Sequence, residues 1–520
     1  MRQINTVQLD DVRDMLSILS IQEKATIKTY LVSFIEKGKE STNRSLKLFE
    51  ILVSLKEKKV NYEVVGKVLL GNANPNAFNH QVARLRDKIL EGLILDINVE
   101  RDGSFIESSR VTIDVRKNIT QAQILLDRGL RKVAILMFEK VIEQCKKYEF
   151  YDELLLALKL LIRQRMLEEG NKHLHLFKQY QKYDHCKSAA IRAEINYSKV
   201  ISKTDFQSEL NLKTDWLREI MDEMSNDYKK THSTLIGYYY YYLESQYYQL
   251  QRNYKNARRA LLNVQKVLDS SPAMNIPANV GGVILNLADN DLFICQFERS
   301  YSDAELGLKY FKKNTVNYEQ GLKTMFYAKY YNGEYQIAGD IIFQLLPEKF
   351  QAANTFKKGK YNYLLANTNF MLGEFETALR YISLLNPIGA DKGWNVGIRI
   401  LFIMILIELK EFDEATSKIY ALRNFLDTNG SNSHRKKLIY QVLQSLSYSG
   451  FDFKAVYQKE KGCLEMLEAH TGALAWQIKS AEMAIFNQWF FAKVSRQKFT
   501  QTIPSSQLIE NKKESIVKQE

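Results

Sequence analysis

With 520 residues, 45% hydrophobic and 26% charged, the chain has a globular composition and exceeds one compact core, so several domains or a repeat array are expected. Its longest apolar run, Ile400 to Ile407, is too short to span a bilayer, and Met1 to Asp14 lack the apolar core of a secretory signal, so the chain reads as cytoplasmic with no membrane association. The net charge of +13 raises a nucleic-acid role, but residues 1–118 hold 19 Lys and Arg against 16 Asp and Glu, and the rest of the excess is spread thinly.

Residues 1–100 read as a helical N-terminal domain. Helical apolar spacing predicts helices over Val7–Ile18 and Lys24–Glu36, then a third marked by Leu46 to Leu55 and opened by the capping cluster Ser41-Thr42-Asn43. A short helix over Tyr62–Leu70, a turn at Gly71 to Asn76 and a long helix from Ala77 to about Leu95 follow. This order invites a helix-turn-helix reading, with Arg84, Arg86 and Lys88 meeting phosphates or guanine edges. Residues 101–118 read as a linker. There Val111, Ile113 and Val115 alternate with polar residues as in a short strand, and Arg101 to Phe105 offer a hairpin.

From 119 to 499 the pattern is helix after helix. Tyr151–Glu168 and a segment around Ala189–Val200 are helical, and Lys203-Thr204-Asp205 can cap a further helix containing Trp216. Five aromatics then stand three positions before an alanine: Tyr254/Ala257, Tyr301/Ala304, Tyr335/Ala338, Phe375/Ala378 and Phe412/Ala415, with alanine intervals of 47, 34, 40 and 37 residues. Such periods mean stacked helical hairpins. Gly129, Gly333 and Gly373 stand five residues before their alanines, where a helix must end and reverse. A hairpin with Gly450 and Ala455 keeps that spacing without the aromatic. The helix expected over Gly472–Phe499, with Trp476, Trp489, Phe490 and Phe491, would cover the open end of the stack, and residues 500–520 read as a disordered tail.

This pattern resembles the tetratricopeptide repeat (TPR) family in a divergent, bacterial-type form: a small residue in helix A, a glycine, an aromatic, then alanine in helix B. Ser245 and Ala366 match the small position, whereas Leu292, Phe326 and Ile403 depart from it, and Arg131 replaces the aromatic of an early unit built on Ala122, Gly129 and Ala134. The resemblance implies an all-α solenoid whose helices A line a concave groove that binds partner peptides. Residues 15 and 11 before each anchor alanine should face it. These are Tyr242 and Gln246, Asp289 and Phe293, Lys323 and Tyr327, Tyr363 and Asn367, Ile400 and Met404. Tyr239, one turn from Tyr242 in a run of five tyrosines (Tyr238–Tyr242), joins the candidate surface. Only Lys323 and Asn367 fit the family's clamp for a C-terminal carboxylate, and they fall in different repeats, so a protein or peptide partner held by another chemistry is expected.

No catalytic motif is present, and no metal or cofactor is expected. His173 and His175, two apart on a helix, point about 200° apart and cannot chelate together. The leading expectation is a non-enzymatic scaffold or adaptor. The alternative is a transcriptional regulator: Val82 to Lys88 resemble the last helix of winged-helix response-regulator domains, which some bacterial regulators join to TPRs. A salt-dependent shift of labelled duplex DNA, lost in Arg84→Ala/Arg86→Ala, tests it; no shift at low salt removes it.

Overall fold

The computed structural model describes residues 6–33, 43–54, 62–70, 75–95, 107–166, 172–202, 210–346, 355–384, 392–429, 434–469 and 472–503. Among them there are helices and no strands, and the chain divides into two compact units, Met1–Ile106 and Glu107–Glu520. The Arg101–Phe105 hairpin, the Lys203-Thr204-Asp205 cap and the tail from residue 504 onward lie outside the described residues.

The first unit holds α1 (Thr6–Ile18), α2 (Ile21–Ser33), α3 (Arg44–Ser54), α4 (Tyr62–Leu70) and α5 (Pro75–Leu95). A reciprocal capping box opens α2: the Ser20 amide donates to Glu23 Oε2 at 2.8 Å and the Glu23 amide donates to Ser20 Oγ at 3.2 Å. Asn43 Oδ1 caps α3 by accepting from the Ser45 and Leu46 amides. Helix α5 touches the other four, burying Phe78, Val82, Leu85 and Ile89. Gly92 lets α2 close on α5, since a Cβ there would lie 2.9 Å from Ile27 Cγ1.

The second unit is an α-solenoid of TPR-like hairpins. It opens with α6 (Glu107–Asp127), α7 (Arg131–Tyr148), α8 (Tyr151–Arg165), α9 (Lys172–Ser202) and α10 (Leu210–Thr231). Five A/B hairpins follow: α11 (Thr234–Leu250) with α12 (Tyr254–Ser270), α13 (Pro277–Phe293) with α14 (Phe297–Leu308), α15 (Val316–Tyr331) with α16 (Tyr335–Phe343), α17 (Thr355–Leu372) with α18 (Phe375–Ser383), and α19 (Lys392–Glu408) with α20 (Phe412–Asn429). A sixth pairs α21 (His434–Tyr448) with α22 (Phe453–Lys459), before α23 (Lys461–Leu467) and α24 (Phe486–Ser495).

The structure corrects three expectations. Val111, Ile113 and Val115 lie in α6, not in a strand. Val115, Ile119 and Ala122 recur at helical spacing and are buried against α7, and this tertiary stripe overrides β-branched propensity. The helix expected over Gly472–Phe499 forms only as α24; after the short 3-10 turn Gly472–Leu474, residues 475–485 are an irregular loop. The third correction is one of register. Each helix B begins on an aromatic: Tyr254, Phe297, Tyr335, Phe375, Phe412 and Phe453. In α14 that residue is Phe297, so the anchor three positions on is Ser300, not Ala304, and in α22 the pair is Phe453/Val456.

With that register the anchors Ala257, Ser300, Ala338, Ala378, Ala415 and Val456 stand 43, 38, 40, 37 and 41 residues apart, and all are buried. The uneven 47 and 34 disappear. The small position twelve residues earlier in the second hairpin becomes Ala288, whose carbonyl accepts from Ser300 Oγ at 2.7 Å. Five residues before the anchors stand Arg252, Cys295, Gly333, Gly373, Lys410 and Phe451, and every one has positive φ. The reversal thus demands a left-handed residue, which glycine supplies without strain and others adopt at a cost. Gly373→Ala (φ +84) is expected to lose about 1 kcal/mol or more, whereas exposed Lys410→Gly (φ +64) stays within about 0.5 kcal/mol of the parent or gains. Thermal melts decide; equal losses would refute the shared turn geometry.

Candidate functional site

The anchor register defines a stripe on the helices A at 15, 11 and 7 positions before each anchor, one turn apart on one face. Asp289 and Tyr327 are equivalent at the second level, Phe293 and Tyr331 at the third, and Tyr363 stands at the first. These residues converge, and what they converge on is the loop 475–485 of the same chain. The Lys479 ammonium lies 2.6 Å from Asp289 Oδ1, with the ring centroids of Phe293 and Tyr327 at 5.5 and 5.6 Å. The Lys479 amide donates to Tyr331 Oη at 2.9 Å, and Tyr363 Oη donates to the Ala481 carbonyl. Trp476 meets Tyr331 edge-on at 5.7 Å.

Other hairpins join in. With its amide oxygen turned toward Arg252, Gln477 accepts from both Nη groups at 2.8 Å. Gly397 of α19 lies so close to Ala481 that a Cβ would collide with its carbonyl. Arg435 of α21 holds the base of the loop: its guanidinium donates to both carboxylate oxygens of Glu482 at 2.7 and 2.8 Å, to the carbonyls of Leu467 and Leu474 at 2.7 and 2.9 Å, and to Asn487 Oδ1 at 3.1 Å. The segment entering the loop and the segment leaving it are therefore tied to one buried arginine. The indole of Trp476 closes the loop on itself by donating to the Glu482 carbonyl at 2.6 Å.

Residues Gln477–Glu482 thus meet all six hairpins. Six residues fully extended reach about 20 Å, whereas six hairpins in a straight row at about 10 Å each would cover far more. The helix-A faces must curve around the loop. Burial raises the phenols of Tyr327, Tyr330, Tyr331 and Tyr363 well above the ordinary tyrosine value, so Tyr331 and Tyr363 meet the loop as neutral hydroxyls.

The residues expected to bind a partner do not all share this surface. Tyr327 and Tyr363 line the loop. Asn367 is fully buried on the same helix as Tyr363, with Nδ2 donating to the Tyr363 carbonyl at 2.9 Å. Lys323, at the same stripe level as Tyr363, pairs with Glu319 at 3.3 Å rather than with the loop. On α11, Tyr242 is buried among Leu261, Val264, Val283 and Leu287, Tyr239 packs on Tyr197 of α9 at 5.0 Å, and Gln246 bonds Gln249. Sequence reasoning missed Tyr331, Arg435 and the loop. Tyr331 was reachable by extending the stripe one turn; Arg435 carries no periodic signal.

In the first unit Arg84 is exposed, Arg86 is engaged by Asp87 at 3.0 Å, and the Lys88 ammonium lies 5.4 Å from the Tyr30 ring centroid. The face of α5 bearing Val82, Leu85 and Ile89 is the core of the bundle. Among the described residues no three His, Cys, Asp or Glu side chains are placed to hold a metal ion, and no helix is long and apolar enough to cross a membrane. Burial pushes the thiols of Cys145 and Cys295 up to about 12 and about 11, away from thiolate reactivity.

Arg435→Met leaves the Glu482 carboxylate partly buried without its counter-ion. The expected loss is about 3–5 kcal/mol, with faster amide exchange confined first to residues 474–485. Arg435→Met/Glu482→Gln should recover part of the stability. Unchanged loop exchange in the single variant would show that Arg435 is not the clamp.

No family model matches the chain, and no curated protein matches it. Among solved structures it is similar to the apo form of RapI (13% identity, 68% of this chain and 86% of that one, TM-score 0.40) and to a Rap protein complexed with competence and sporulation factor (13%, 70% and 96%, 0.38). It is also similar to a signal transduction ATPase with numerous domains that carries a tetratricopeptide repeat sensor, from Pyrococcus horikoshii (12%, 89% and 65%, 0.30). At these identities and TM-scores the likenesses carry no argument about function.

Proposed function

We propose that the protein is a non-enzymatic scaffold or adaptor that binds a non-helical segment of a partner protein along the helix-A faces of its repeats. One observation carries the reading: these faces already hold a stretch of irregular polypeptide by its main chain. Tyr331 accepts from one backbone amide and Tyr363 donates to one backbone carbonyl, while Asp289 and Arg252 take side chains. Main-chain hydrogen bonds supply affinity for any sequence; the charged and aromatic groups supply selection.

Within this reading Tyr327 and Tyr363 are the contact residues, Asn367 supports Tyr363, and Lys323 stands at the rim. On α11 Gln246 extends the surface, while Tyr242, buried in the core, and Tyr239, packed on Tyr197, support the helix that carries it. The four cysteines are free thiols, as suits the reducing cytoplasm.

A photo-crosslinking residue placed at Lys323 or Gln246 is expected to capture one and the same partner in cells. The same residue at Phe343, exposed on helix B α16, is expected not to. Capture from Phe343 alone would move binding off the helix-A faces and sink the proposal.

A further inference from the structure

The stretch of chain that fills the groove has a readable chemistry. Lys479 sends its ammonium into a box made of one carboxylate and two aromatic rings, with Asp289 itself held by Thr324 Oγ1 at 3.3 Å. Such a box selects a cation and rejects an acid. Before the lysine stands Ile478, buried; two positions after it stands Ala481, packed so closely on Gly397 that a Cβ on the glycine would lie 2.7 Å from the alanine Cβ, a contact that favours a small side chain. Glu482 follows and meets Arg435. The groove therefore reads a pattern: apolar, lysine, any residue, small, acid.

The occupant also differs in character along its length. Met483, Ala484 and Ile485 are core residues, 0–4% exposed. Within Gln477 to Glu482, Ile478 is also core, 3% exposed, but its neighbours are held mainly by polar contacts, and the Lys479–Asp289 pair keeps about a quarter of its side-chain surface in solvent (23% and 27%). Lys479 has φ +61, a left-handed conformation, within the turn between the two segments tied to Arg435. A segment of another chain, not tied at both ends to Arg435, can place the same lysine without that strain.

We propose that Gln477–Glu482 is an internal pseudo-ligand: it closes the groove in the resting protein and is displaced by a partner segment carrying the same apolar-Lys-x-small-acid pattern. This rests on the scaffold reading above and adds to it the partner's chemistry and the regulation of the site. A chain that carries its own competitor binds only partners whose effective strength exceeds that of the tethered copy.

The test uses the full chain and, as probe, a fluorescein-labelled synthetic peptide with the sequence of Leu474–Ile485. Gln477→Ala/Lys479→Ala weakens the loop while leaving Asp289, Tyr331, Tyr363 and Arg435 in place. Anisotropy is expected to show the peptide binding this variant at least tenfold more tightly than the wild type. Replacing the peptide's lysine by alanine, or adding Asp289→Asn to the variant, is expected to lose at least tenfold. Should the variant melt below the working temperature, hydrogen exchange on the wild type answers the same question: excess peptide is expected to speed exchange within residues 477–482 and nowhere else. Equal binding to variant and wild type, or a loop that exchanges no faster under excess peptide, overturns the pseudo-ligand. A partner crosslinked from Lys323 equally by wild type and variant also overturns it while leaving the scaffold reading intact. Displacement by peptide with no groove crosslink in cells does the reverse.

Discussion

A helical hairpin can stack on its neighbours only where helix B closes onto helix A, and in this chain that closure is made at one buried, mostly small side chain. Ala257, Ser300, Ala338, Ala378 and Ala415 sit at the fourth position of their helices with no room beside them. The closure requires a sharp reversal just before, and the reversal requires a left-handed residue, even where that residue is Arg252, Cys295 or Lys410. In three hairpins the opening aromatic of helix B serves the next unit: Tyr254 stacks on Phe293 at 4.5 Å, Phe297 lies against Tyr331, and Phe412 stacks on Phe451 at 4.6 Å; Tyr335 and Phe375 instead meet Tyr330 and Phe370 of their own helix A at 5.3 and 5.5 Å. Closure within a hairpin and contact between hairpins are thus linked by residues three apart.

The groove is a consequence of that linkage. Fixing helix B on helix A fixes which face of helix A is left over, and repeating the unit aligns those faces. Phe293 and Tyr331 belong to both sides: one contact goes to a helix-B aromatic, the other to the loop. The packing that builds the solenoid therefore also orients the tyrosines that grip the main chain. Their phenols, kept neutral by burial, leave Asp289, Arg252 and Arg435 as the charged contacts to the loop.

Arg435 gathers what the stripe cannot. Its five hydrogen bonds tie α21 to the end of α23, to the 3-10 turn, to Glu482 and to the start of α24. Helix α24 has a second attachment, with Trp489 Nε1 and Lys493 Nζ on the two carboxylate oxygens of Glu408 at 2.6 and 2.8 Å. The loop is consequently fixed at its base and along α24, while its tip rests on side chains from four hairpins.

The amino-acid sequence by itself determined most of the helices and the approximate hairpin period, and it named Asp289, Phe293, Tyr327 and Tyr363 among the residues that meet the loop. Those depend on contacts three, four or five residues apart, and Gly333-Glu334-Tyr335 or Gly373-Glu374-Phe375 carry them locally. It pointed to Tyr301 rather than Phe297 as the start of α14, because only Tyr301 stands three before an alanine; packing against Ala288 and Tyr331 selects Phe297. It could not place residues 475–485. Their apolar spacing is compatible with a helix, yet their conformation is set by bonds to Tyr331 and Asp289, 148 and 190 residues away. Partners that distant leave no mark in local periodicity, so the occupied groove was decided by tertiary structure alone.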